Sequence, residues 1–241
     1  NYLPVSPSTI ARAQRGASTM PFNDPLLPDQ WHYYNDGHIY GTKAGADINL
    51  FPAWKSGVTG SKDVIVAIID GGFQIDHPDL KDNLWINEAE LNGKPGVDDD
   101  GDGFVDDIYG YNFVINSANI NAHTHGTHVA GTVAAVNNNG TGVAGIAGGS
   151  GKNDGVKIMS CQIFHDKDGG DVAMAAKAIK YAADNGAVIC QNSWGYTAGT
   201  ISVTDWTRGS YSALSRAMEY FNKYAGLDEN GNQTGPMAGG I

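Results

Sequence analysis

The sequence is poor in basic residues: 15 Lys and Arg stand against 26 Asp and Glu, a formal net charge of −11 over 241 residues. With no basic stripe to neutralise phosphates, nucleic acid and anionic membrane surfaces are excluded as expected partners. No run of about 18 apolar residues occurs, so no transmembrane helix is expected. Residues 1–20 lack the basic start and apolar stretch of a signal peptide; if the protein is exported, its signal is expected to have been removed. Cysteine is scarce. Cys161 and Cys190 lie in separate apolar runs, and two cysteines make no disulfide framework, so buried free thiols are favoured over a bridge. No internal repeat or low-complexity block is visible.

What is present reads as one α/β domain. The run DVIVAIID (63–70) is continuously apolar and rich in β-branched residues, the mark of a strand buried on both faces of a parallel sheet, and it stops at Asp70-Gly71-Gly72. VKIMSCQIF (156–164) and AVICQNSWG (187–195) read as further strands. Between them Asp171 is placed to cap a helix with Val172, Ala176, Ile179 and Ala183 on one face, which Gly186 stops. Ser210 or Ser212 would cap a last helix with Leu214, Met218 and Phe221 inward and Gly226 at its end. This alternation predicts a doubly wound parallel sheet with right-handed crossovers. Residues 1–20 are polar and aperiodic, a flexible tail or the remnant of a removed propeptide; residues 21–241 form the domain, beginning with an extended arm rich in aromatics and prolines. Function in such sheets collects at the carboxyl ends of strands, where Asp70, Ser193 and Trp194 fall.

HTHGTHVAGTVAAV (123–136) poses two readings. His123, His125 and His128 nearly match the His-x-His-x-Asp-His zinc signature of metallo-hydrolases, but Thr127 replaces the carboxylate and a helix from Gly126 would turn His125 and His128 to different neighbours. The other reading needs one histidine at a helix mouth, held in a single tautomer by a carboxylate at a strand end, as a general base requires. Asp70 supplies that carboxylate, leaving His123 as a loop residue and His128 as a packed helix residue.

VAIIDGGFQIDHPDL, HGTHVAGTVAA and QNSWG, in that order, resemble the aspartate, histidine and substrate-strand motifs of the subtilisin-like serine peptidases, over roughly residues 22–241. The resemblance implies a three-layer doubly wound fold of which this chain is the N-terminal part, with Asp70 as orienting acid and His125 as general base. It implies that Ser193, Trp194 and Gly195 line the groove for a polypeptide substrate by strand addition, with Gly169 and Gly170 at the opposite rim.

VNNNGTGV (136–143) is similar in length to the calcium loop of thermitase, a member of that family. The likeness points to the carbonyls of Val136, Thr141 and Val143, the side chain of Asn139, Asp79 from DHPDL and Asp24 from NDP as hard oxygen ligands. A plain glycine-rich turn is the alternative. DDDGDGFVDD (98–107) suggests a second calcium loop of EF-hand type through Asp98, Asp100, Asp102, the Phe104 carbonyl and Asp106, although Tyr109 stands where that loop has its glutamate. Six aspartates in ten residues repel one another without a cation.

The family's nucleophile string Gly-Thr-Ser-Met-Ala and its oxyanion string Ala-Gly-Asn do not occur in the chain. The resemblance therefore implies a serine endopeptidase whose Ser and Asn come from a C-terminal part, so this chain alone is expected to be inactive; the family and its calcium imply a secreted, periplasmic or cell-surface location. An inactive protease-like fragment or binding domain is the alternative, and the zinc hydrolase a further one.

Overall fold

The computed structural model describes residues 20–165, 170–195 and 201–240. Its centre is a sheet of four parallel strands in the order β2-β3-β1-β4: β1 Ile65–Asp70, β2 Gly110–Asn112, β3 Lys157–Gln162 and β4 Ile189–Asn192. The helices are α1 Phe51–Lys55, α2 Glu88–Leu91, α3 Thr124–Ala134, α4 Val172–Asp184, α5 Val203–Thr207 and α6 Ser212–Tyr224. Among the described residues no helix is long and apolar enough to cross a membrane.

The apolar run before Asp70 forms β1, as its composition predicts, and the side-chain alternation of a strand divides it between two layers. Val66 and Ile68 pack with Ala130 and Ala134 of α3 and with Ile158 of β3. Ala67 and Ile69 face the other way, onto Ala178 and Ile179 of α4 and Leu214 and Phe221 of α6. Helices thus cover both faces, the doubly wound arrangement expected. A third cluster sews the N-terminal arm down: Leu27, Tyr33, Phe51 and Trp54 pack on Ala144, and the Trp54 indole N–H donates to the Ile146 carbonyl at 2.9 Å. Of the expected tail, residues 1–19 lie outside the described residues, and Met20 packs against this cluster.

Local signals decide the helix ends. The Asp171 carboxylate accepts the Met174 amide at 2.7 Å, and Gly186, at φ +83°, turns the chain out of α4. The face of α4 that packs inward carries Ala175, Ala178, Ile179 and Ala182, with Val172 and Ala176 on its margin. α6 begins at Ser212, but Tyr211 holds the cap position and its side chain caps no helix amide. Its inward row is Leu214, Ala217 and Phe221, which leaves Met218 44% exposed against the expectation that it faces in. The small Ala217 takes the inward place instead, where α6 packs against α4. Ser202 and Asp205 form a capping box that starts α5.

Cys161 and Cys190 are free, as expected. They sit on β3 and β4, paired in register with Ile69 and Ala67 on the two sides of β1. Two strand spacings of about 4.8 Å put them beyond disulfide reach. Burial pushes the Cys161 thiol well up and that of Cys190 to about 11.

Ile68 has no exposed surface and is clamped between α3 and β3. Ile68→Ala is expected to lower the unfolding free energy by about 2–5 kcal/mol in urea titrations, with an unchanged m-value.

Candidate active site

Asp70 is the last residue of β1 and continues the row of Val66 and Ile68, so its carboxylate points to the layer of α3 rather than that of α4. It is completely buried. His125 stands in the first turn of α3, with its side chain 49% exposed. The two meet at 2.9 Å, His125 Nδ1 to Asp70 Oδ1, across 55 positions of sequence. A carboxylate only accepts, so Nδ1 is the donor and Nε2 is left with its lone pair outward. Asp70 Oδ1 also accepts the Gly71 amide at 2.7 Å, which holds the carboxylate in place.

The contact exists because two glycines let backbones meet. At Gly126 a Cβ would collide with the Gly72 carbonyl and lie 3.1 Å from Asp70 Oδ1, and Gly72 itself turns at φ +83°. Any side chain at 126 would lift the mouth of α3 off the end of β1.

The other histidines do not join this pair as ligands. His123 precedes α3 in extended conformation and is half-buried, while His128 is exposed, contrary to the packed position expected for it. The three imidazoles do not form a group with ligand atoms within 4.8 Å; among the described residues only two acidic groups do. The zinc reading fails on that geometry, since His125 commits Nδ1 to Asp70 and the helix directs His128 elsewhere.

The strands on either side of β1 end level with Asp70. β4 runs into Ser193, Trp194 and Gly195, where the Gln191 amide donates to Ser193 Oγ at 2.9 Å, Trp194 packs on the core and Gly195 has open space around it. Beyond β3, the Ile163 amide donates to the Asp70 carbonyl at 2.8 Å, and Gly170 lies so close to the Ile163 carbonyl that a Cβ would not fit. Gly169 lies outside the described residues. Two strand ends therefore flank the Asp70–His125 pair.

The subtilase family profile matches residues 61–233. The chain belongs to the subtilase family. This subtilase is 30% identical over 212 residues to Subtilisin-like protease 1 of Plasmodium vivax, covering 80% of the chain and 33% of that protein. It is 37% identical over 139 residues to the Extracellular basic protease of Dichelobacter nodosus, covering 53% of the chain and 21% of the relative. The serine protease of Aeromonas sobria, solved in complex with a chaperone, superposes with a TM-score of 0.60 at 26% identity, over 83% of this chain and 30% of that one. The chain thus spans 33% and 21% of the length of these two curated relatives.

Two loops of the subtilase gather side-chain oxygens. In the first, buried Asp24 accepts the Asn138 amide at 2.8 Å and that of Asn139 at 3.2 Å. Buried Asp79 accepts the Asn139 side-chain amide at 2.8 Å and the Val143 amide at 3.0 Å, while its carbonyl accepts the Val136 amide at 2.9 Å. Thr141 closes the loop on Asn139 Oδ1 at 2.7 Å. These contacts run through the amides of Val136, Thr141 and Val143 rather than the carbonyls named from the sequence, and Asn23 joins them by accepting the Gly140 amide. Burial raises both carboxyl groups above the usual range, and the charge of Asp79 adds to the shift of Asp24.

In the second loop, ligand oxygens of Glu90, Asp98 and Asp100, and of Asp100, Asp102 and Asp107, lie within 4.8 Å of one another. Asp106, named from the EF-hand pattern, is not among them: at φ +56° it turns both carboxylate oxygens to the Gly96 amide, and buried Asp107 faces the cluster instead. Burial pushes Asp107 up to about 7, with Asp102 and Asp100 adding to the shift. Glu90 comes from α2, and no spacing in the sequence links it to the loop. The ring of Phe104 is anchored on Tyr111 and Tyr181 at centroid distances of 4.8 Å.

Gly126→Ala is expected to destabilise the fold by about 1–3 kcal/mol. The expected sign in solution is loss of the protected imidazole proton between His125 and Asp70 from the downfield proton NMR spectrum.

Proposed function

We propose that this chain supplies the acid and base of a serine endopeptidase. The observation that carries the reading is the 2.9 Å bond from His125 Nδ1 to the buried Asp70, which fixes the tautomer that leaves Nε2 free to accept a proton. In the proposed reaction a serine attacks the peptide carbonyl and His125 takes its proton. The proton then passes to the leaving amine, and Asp70 stabilises the imidazolium in between. The nucleophilic Ser and the oxyanion Asn belong to a C-terminal part of the same protease, since their strings do not occur in these 241 residues. That part is the proposed partner. The polypeptide substrate lies as an added strand between Ser193-Trp194-Gly195 and the segment at Gly170, with Trp194 as an apolar wall.

Calcium is the proposed structural ion. The donors fit it: every candidate is a hard oxygen, and burial raises Asp24, Asp79, Asp102 and Asp107, with repulsion from neighbouring carboxylates adding to the shifts of Asp24, Asp102 and Asp107. Asp24, Asp79, Asn139 and the carbonyls of Val136, Thr141 and Val143 would hold one ion. Asp98, Asp100 and Asp102, joined by Glu90 and Asp107, would hold a second, with the Phe104 carbonyl in reach of the same loop. Its bound charge offsets that repulsion and takes no part in proton transfer. Export to a calcium-rich compartment follows from this need and from the extracellular relative.

In the full-length protein an organophosphate is expected to label a serine outside residues 1–241, and Asp70→Asn to lower kcat about 10⁴-fold. A labelled serine within the chain, or full activity of the Asp70 variant, contradicts the reading. Residues 1–241 alone should show turnover reduced by about 10⁶-fold, the cost of losing the nucleophile. A folded, calcium-loaded full-length protein that takes no label would instead support the binding-domain alternative.

Calcium at about a hundred times its Kd should raise stability by about 2.7 kcal/mol per site, because it binds the folded loops and not the unfolded chain. Chelation should therefore lower Tm, and Asp79→Asn should shrink that decrease.

A further inference from the structure

The Asp70–His125 bond has an exposure problem. Its imidazole is 49% exposed and its carboxylate is fully buried, so any route for water to the shared oxygen weakens the bond. Gly126, set against Gly72, closes one side. On another side lies Gly71, the residue that follows the carboxylate, and there the chain carries an unusual feature. A Cβ built on Gly71 would stand 2.7 Å from Cγ and 2.9 Å from Nδ1 of His123, and 2.8 Å from the ring of Phe164. The His123 ring is thus laid flush on the main chain beside Asp70. Phe164, just past the end of β3, meets it edge-on at 5.6 Å and 89°, and the His125 ring lies 6.4 Å away.

The polarity of this arrangement is what makes it informative. His123 Nδ1 is buried without a hydrogen-bond partner, and so is Asp70 Oδ2. A histidine with only a surface role would turn that nitrogen to water. Here the ring is held inward by packing on Gly71 and Phe164, and it tolerates an unpaired nitrogen to stay there. With Oδ2 buried and unpaired, the Asp70 carboxylate directs its bonding through Oδ1, which receives the Gly71 amide and His125 Nδ1.

We propose that His123 is a positioning residue: seated on Gly71 and braced by Phe164, its ring walls the Asp70–His125 contact from solvent and so holds His125 in its working orientation. The claim rests on the peptidase reading above and assigns the role to the shape of the ring, not to its nitrogens. Gly71 belongs to the same device, since any side chain there would displace both rings.

The test compares His123→Ala and His123→Phe in the full-length protein, with Asp70→Asn as reference. His123→Ala is expected to lower kcat about tenfold with KM within about twofold. It should also make the His125 Nδ1 proton exchange fast enough to broaden its downfield resonance in ¹⁵N-histidine-labelled protein. His123→Phe, which keeps a flat ring, should restore both within about twofold. An Ala variant that lowers only Tm, or only raises KM, overturns the proposal, as does a Phe variant as impaired as Ala. If Asp70→Asn leaves kcat intact, the peptidase reading itself fails. The resonance comparison does not depend on turnover and still reports whether His123 walls the pair.

Discussion

The approach of the first turn of α3 to the end of β1 is the constraint on which the rest of the site depends. It brings an imidazole to a carboxylate that has no exposed surface, and it is possible only because Gly126 carries no side chain where it meets the Gly72 carbonyl. Strand alternation adds the second requirement. Asp70 shares the row of Val66 and Ile68, and a slip of one residue in β1 would turn the carboxylate toward α4. The buried core and the candidate chemistry are thus one register.

The same economy of position governs what flanks the pair. β1 lies between β3 and β4, so the segments that leave those two strands border the end of β1 without any special loop. Parallel strands put all three carboxyl ends on one side of the sheet, where the Asp70–His125 pair lies. His123 and Phe164 tighten this edge further by bridging from the approach to α3 to the end of β3.

Electrostatics divides the acidic residues into two populations. Most of the surplus negative charge is on the surface, but Asp24, Asp79, Glu90 and Asp107 are buried and serve as acceptors for loop amides, asparagine side chains or the Tyr181 hydroxyl. Such carboxylates substitute for secondary structure: the segments 137–143 and 98–107 are ordered by acidic side chains where no helix or strand supplies the partners. The N-terminal arm participates in the first of these loops, since Asp24 reaches across to Asn138 and Asn139.

Much of this was legible in the order of residues alone. The run before Asp70, the cap at Asp171, the stop at Gly186 and the two flanking strands all follow from patterns spanning a few residues, because strand and helix periods and end signals are local. Other features were not. β2 is three residues long and pairs through Gly110 against the Ser160 carbonyl, so no apolar run marks it. Met218 and Ala217 exchange faces through the packing of α6. Asp107 rather than Asp106 faces the acidic cluster, because a left-handed turn at Asp106 reverses the direction that spacing suggests. The sequence by itself determined the alternating α/β pattern and the Asp and His motifs, since these depend on neighbours in the chain. How closely Asp70 and His125 meet across 55 positions, and where His123 packs beside them, only the tertiary structure decided, because such contacts depend on how closely two backbones can approach, and that is settled when the layers pack.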